Sequence, residues 1–167
     1  MQALEDEDLI FPGEQPGTLR FKHGITRDVV YDGVGLRERT RLHLTTAHAL
    51  AARATDVATT GAEACEALAY HFDAAGEPQQ AAAYAEAAGD RAVYASALDR
   101  AKSQYRAALA SLDKLGPSPS VVKRWAGIAQ RLGLARVFDP SREELPVFAR
   151  AIQLAPASGD PVAIARA

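Results

Sequence analysis

AEACEALAYHFDAAGEPQQAAAYAEAAGDRA, residues 62–92, decides the fold. Thirteen of these 31 residues are alanine, the best helix former, and none of the β-branched residues that favour strands is present. Gly76 stops the first helical run, from Ala62 to Ala75. Pro78 opens the second at a position where its missing N–H costs nothing, and that run extends to about Arg91. Leu68, Phe72 and Tyr84 are bulky residues set among small ones, so two closely approaching helices are expected, with large side chains filling the space between them.

The surrounding sequence repeats this composition. Alanine supplies 36 of the 167 residues, against 5 Phe, 5 Tyr and 1 Trp, and 19 of the 36 lie between Ala62 and Ala110. An all-α protein is expected, and a large β-sandwich or barrel is excluded. The formal net charge of −2 points neither to a cationic nucleic-acid binder nor to a polyacidic tail. The single Cys65 can form no intrachain disulfide and offers no thiolate cluster for zinc or iron–sulfur. No apolar run approaches the roughly 20 residues that span a bilayer. The first eight residues are acidic where a secretory signal would be basic. A cytoplasmic protein without a membrane partner is expected.

Before residue 24 the pattern differs. Leu9-Ile10-Phe11 and Thr18-Leu19-Arg20-Phe21 flank a Pro/Gly turn and predict a β-hairpin. Helices follow: a short one over Ile25 to Val34, interrupted at Gly33 and Gly35, and a longer one from Leu36 to about Thr60-Gly61. After Arg91 the next is expected from about Tyr94 to Leu115, stopped by Gly116-Pro117, then one over Val121 to Val137 capped by Ser120. Ser141 and Glu144 have capping-box spacing for a helix to about Leu154, and Asp160-Pro161 starts one more that is cut short. Two domains are expected, residues 1–60 and 61–167, the second ending within its array.

Leu68, Ala69, Phe72, Gly76, Ala81, Tyr84 and Ala88 fall at the offsets of a tetratricopeptide repeat. A second partial copy, Gly89, Leu98, Ala101, Tyr105, Ala108 and Leu109, follows at about twenty residues, and a third runs through Trp125, Leu132, Gly133, Phe148 and Ala151. The expected fold is therefore an all-α, tetratricopeptide-like antiparallel repeat array, an α-solenoid, behind a short hairpin. A non-repeating helical bundle is the alternative. Phe21-Lys22-His23-Gly24-Ile25-Thr26-Arg27-Asp28-Val29-Val30-Tyr31, then Arg39, Arg41, Leu42 and His43, then Ala67-Leu68-Ala69-Tyr70-His71-Phe72 and Ala82-Ala83-Tyr84 carry a resemblance over nearly the whole chain. The chain resembles the region downstream of the P-loop module in bacterial signalling ATPases of the STAND type, some fused to adenylate/guanylate cyclase domains. The resemblance implies a winged-helix remnant over residues 1–60, followed by tetratricopeptide-like repeats.

No phosphate-binding Gly-x-x-x-x-Gly-Lys, no His-Glu-x-x-His and no Gly-x-Ser-x-Gly occurs, so no catalytic residues and no cofactor are expected. ATP or ADP would act only through an ATPase domain outside these residues. His43 and His48, five apart, lie about 140° from each other on a helix and form no metal pair, and His71 has no second histidine one turn away. Structural roles are expected for these three, and no metal is expected. His23 and Arg27 lie in the segment that resembles the nucleotide-sensing end of the winged helix. The resemblance implies a sensor of bound diphosphate, against the plainer reading of a buried histidine capping the hairpin. Arg20, Lys22, Arg27, Arg37, Arg39 and Arg41 form a basic N-terminal third, read as solvated or ion-paired rather than as a DNA-binding face. Three of the five tyrosines are expected in the core. Tyr94, Arg100, Lys102 and Arg106 are the candidate partner-binding residues. The expected function is a non-catalytic protein-interaction module of a larger signalling protein. A nucleotide-responsive switch element and a DNA-binding regulator are the alternatives.

Overall fold

A computed structural model describes residues 7–13, 19–53, 60–135 and 145–158. Two antiparallel strands, β1 (Ile10–Pro12) and β2 (Leu19–Phe21), are followed by α1 (Gly24–Gly33), α2 (Leu36–Arg53), α3 (Ala62–Ala74), α4 (Pro78–Tyr94), α5 (Leu98–Asp113), α6 (Pro119–Ala135), α7 (Leu145–Leu154) and a 3-10 turn (Ala155–Ser158). The expectation of a mostly helical chain with one N-terminal hairpin is met. The chain divides into two compact units within α2, at Arg41 and Leu42.

In the first unit Ile10 pairs with Phe21, Phe11 with Arg20 and Pro12 with Leu19, and the Lys22 N–H closes the ladder on the Leu9 carbonyl at 3.0 Å. Among the described residues of this unit only Ile10 is buried, and α1, packed beside β2, buries no residue at all. The basic residues here are largely ion-paired: Lys22 with Asp8, Arg27 with Asp28 at 2.7 Å, Arg39 with Asp32 at 3.4 Å and Arg41 with Glu38. Arg39 also lies over the Tyr31 ring, 5.0 Å from its centroid.

In the second unit, from α3 onward, each helix packs on its neighbour in sequence. α4 is the flat middle layer. Its buried residues are Ala81, Ala82, Ala85, Ala88, Gly89 and Ala92, and none carries more than a methyl group. Helices presenting methyl groups or hydrogens can approach closely, provided the facing helices supply the volume. They do so on both sides. Ala81 meets Leu68 and Phe72 of α3, in a cluster that includes Ala47 of α2. Ala82, Ala85 and Ala92 join Tyr105, Leu109 and Leu112 of α5, a cluster continued by Trp125, Ile128 and Leu132 of α6. The Phe72 and Tyr84 rings stack, 5.6 Å apart and 5° from parallel.

Three turns end α3, α4 and α5 with a residue of positive φ: Gly76 (77°), Ser96 (58°) and Gly116 (76°), at an interval of twenty residues. At the first two, paired reverse hydrogen bonds close the helix: Gly76 N–H to Asp73 O and Glu77 N–H to Phe72 O, then Ser96 N–H to Val93 O and Ala97 N–H to Ala92 O. These are Schellman caps, which favour glycine at the left-handed position. The third lacks its outer bond because residue 117 is proline. This corrects the expected helix from Tyr94 to Leu115. Tyr94 is the last residue of α4, and the break at Ser96 carries neither glycine nor proline. The cap on α6 is also corrected. Ser118, not Ser120, accepts the Val121 N–H at 3.3 Å, with Pro119 in the first helical position. The continuation of α2 beyond Arg53, the Ser141–Glu144 capping box and the helix after Pro161 fall outside the described residues.

Candidate functional site

Charged side chains on alternate helices are tied in a regular way. From α3, Glu66 accepts from Arg100 of α5 at 3.0 Å, and Asp73 accepts from the Ser111 hydroxyl at 3.0 Å and from Lys114 at 2.6 Å. From α4, Glu86 accepts from Arg124 of α6 at 2.7 Å and also from Arg131, while Asp90 accepts from Arg131 at 2.9 Å. From α5, Asp113 faces Arg150 of α7 at 3.8 Å. In every one of these pairs the carboxylate comes first in the chain and the cation follows two helices later. Arg131 lies in addition over the Tyr105 ring, 5.6 Å from its centroid, and the Tyr105 hydroxyl donates to Asp90 at 2.8 Å. Burial and the bond to Asp90 push the Tyr105 phenol well above its ordinary range.

The expected partner-binding residues fall into different environments. Tyr94 is 95% exposed at the end of α4. Arg100 is exposed but held by Glu66, Lys102 is buried with its ammonium on Asp99 at 2.9 Å, and Arg106 is half-buried. Lys102 and Arg106, four residues apart, share a face of α5, whereas Arg100 lies across the helix from Lys102. The tyrosine expectation is corrected: only Tyr105 is fully buried, Tyr84 is half-buried, and Tyr31, Tyr70 and Tyr94 are exposed. His23 is exposed just before α1 and makes no side-chain cap, which removes the reading of a buried capping histidine. Its carbonyl accepts the Arg27 N–H at 3.3 Å, and the Arg27 guanidinium turns to Asp28.

Sequence reasoning missed two features. A groove opens where the α5–α6 turn meets α7, lined among others by Leu112, Gly116, Val121, Trp125, Arg150 and Leu154. Trp125 is 2% exposed, and its buried indole Nε1–H has no hydrogen-bond partner among the described residues. A buried donor left unpaired costs on the order of 1–3 kcal/mol, so an acceptor placed there is favoured. The second feature joins α2 to α3: His43 and His71, 28 residues apart, face each other with Nδ1 atoms 2.9 Å apart. Tyr70 sets its ring edge-on to both, at 5.4 and 5.2 Å. Burial, and then the neighbouring His43, lower the His71 pKa. Spacing along one helix could not reveal this pair because its members sit on different helices.

Among the described residues no helix is long and apolar enough to cross a membrane. Compared with family models, with curated proteins and with solved structures, the chain gives no match.

Proposed function

We propose that this chain is a non-catalytic protein-interaction module built on tetratricopeptide-like stacked helix pairs, the regulatory segment of a larger signalling ATPase or nucleotide cyclase that its sequence resemblance implies. The observation that carries the reading is the alternate-helix pairing. Ionic contacts that skip one helix link α3 to α5 and α4 to α6, which is how successive helix pairs stack into an array whose faces serve as extended binding surfaces. The groove beside Trp125 is the point of engagement. Its apolar lining accepts an aliphatic side chain, and Arg150, loosely held by Asp113, an acidic neighbour on the incoming segment. The occupant is an extended peptide segment carrying an apolar residue next to an acidic one.

A displayed peptide library selected on the full chain tests this, with the fluorescence of the single tryptophan reporting binding. Enriched peptides share an apolar–acidic pair, shift the Trp125 emission saturably, lose affinity on Val121→Arg at the groove edge, and bind equally with and without ADP. Selection that enriches nothing over the Val121→Arg variant refutes the reading. A dependence on ADP in the isolated chain would favour the nucleotide-switch alternative through His23 and Arg27.

A further inference from the structure

We propose that His43 and His71 form a binding site for one divalent transition-metal ion of the copper or nickel class, held between α2 and α3. The two Nδ1 atoms face each other as a hydrogen-bonded pair. The nitrogens are 2.9 Å apart, the rings are 5.0 Å centroid to centroid and tilted by 44°. Two imidazole nitrogens, each about 2.0–2.1 Å from one ion, are about 2.9 Å apart when they subtend a right angle and about 3.3 Å apart at the tetrahedral angle. The observed separation is the length of the hydrogen bond the two nitrogens share, and it already brings two imidazole donors within reach of one ion; among the divalent first-row metals, Ni²⁺ and Cu²⁺ hold such nitrogen donors most tightly.

In the metal-free protein a single hydrogen bridges the two nitrogens. When the ion enters, that hydrogen leaves Nδ1 and Nε2 of the same ring takes one up from solvent, so two neutral imidazoles become ligands and no net charge is lost. The rings turn about their Cβ–Cγ bonds until both lone pairs converge on the ion. His71 is half-buried and opens the site to solvent, while His43, 7% exposed, anchors it on the α2 side. Tyr70 packs against both rings and restricts their swing. Among the described residues no third histidine, cysteine or carboxylate converges here, so water completes the coordination shell. The ion would add a cross-link between α2 and α3, helices that otherwise meet through Ala47, Leu68 and Phe72. This inference is independent of the peptide-binding reading, which involves the other end of the unit.

The test uses the full chain with any affinity tag removed, titrated with Cu²⁺ and Ni²⁺ by calorimetry and followed by thermal unfolding. One ion per chain is expected, with a metal-dependent rise in melting temperature. Loss of an outer-shell partner of a metal ligand already weakens binding about 10–100-fold, so His71→Gln, which removes a ligand itself, should cost at least on the order of tenfold. It should also abolish the thermal shift, whereas His23→Gln and His48→Gln leave both intact. The Cu²⁺ spectrum should be tetragonal with two nitrogen ligands. No saturable 1:1 binding, binding that survives His71→Gln, or a spectrum with a single nitrogen overturns the proposal. Because His43 is buried, His43→Gln is used only if circular dichroism shows it folded; His71→Gln decides the matter alone.

Discussion

Gly89 sits in the interior of α4, where an alanine would ordinarily stabilise the helix by about 1 kcal/mol. Here the sign should reverse. A Cβ at this position would lie 2.6 Å from both Cδ1 and Cε1 of Tyr105 and 3.2 Å from Cζ. Ordinary contact between carbon atoms is about 3.5–4.0 Å, so the ring or the helix must retreat by about 1 Å. The ring has little freedom to do so. It is 1% exposed, its hydroxyl is tied to Asp90, and Arg131 covers one face. Overpacking costs of about 1–3 kcal/mol, reduced by the propensity gain of about 1 kcal/mol, leave Gly89→Ala destabilised by up to about 2 kcal/mol, or a melting temperature lowered by up to about 8 °C. Gly127 of α6 is the control, since a Cβ there meets nothing within 4 Å, and Gly127→Ala should stabilise by up to about 1 kcal/mol. Urea denaturation followed by far-ultraviolet circular dichroism measures both. Adding Tyr105→Leu to Gly89→Ala should recover part of the loss in a double-mutant cycle. If Gly89→Ala stabilises the protein as Gly127→Ala does, the α4–α5 packing described above is wrong.

The caps give an opposing pair of expectations. Ser96→Gly should raise stability by about 0.5–1 kcal/mol because serine is held at positive φ, and Gly76→Ala should lower it by about 1–2 kcal/mol for the same reason, both read from urea midpoints. Replacing Ala81 or Ala88, each no more than 1% exposed, by leucine should cost about 1–3 kcal/mol, and wild-type stability in both variants would deny the close approach of α4 to its neighbours. Burial raises the pKa of the Cys65 thiol, as it does that of the Tyr105 phenol. Groups raised on folding stabilise fully below their unfolded values, about 8.5 for cysteine and about 10 for tyrosine, and lose that contribution as pH rises further. Stability should therefore fall from about pH 8.5 upward, less steeply in Cys65→Ala. A flat profile to pH 10.5 would contradict the burial of both groups.

What the sequence disclosed and what it hid have physical reasons. Gly76, Pro78 and Gly116 mark turns by chemistry intrinsic to the residue, and the helices on either side of those residues were readable from them, as the hairpin was from its two β-prone runs. Ser96 adopts the same left-handed conformation with no such signature, because the reverse bonds from Ser96 and Ala97 to α4 impose it. The expected helix consequently ran through the break. Gly89 and Tyr105 meet between α4 and α5, where the missing side chain of one makes room for the ring of the other. Periodicity did not separate buried from exposed tyrosines. Tyr105 and Tyr94 both belong to amphipathic helices, but only Tyr105 faces a neighbouring layer. The His43–His71 pair and the unpaired Trp125 N–H arise only when separate helices come together, and no local pattern encodes them.

The fixed order of charge across alternate helices constrains how such an array can change length. Odd-numbered helices are linked to odd ones, through Glu66–Arg100 and Asp73–Lys114, and even to even, through Glu86–Arg124 and Asp90–Arg131. Gaining or losing a single helix would exchange the two sets of partners. Gaining or losing two keeps both in phase. The unit of inheritance is then a helix pair of about forty residues, twice the interval between the left-handed turns.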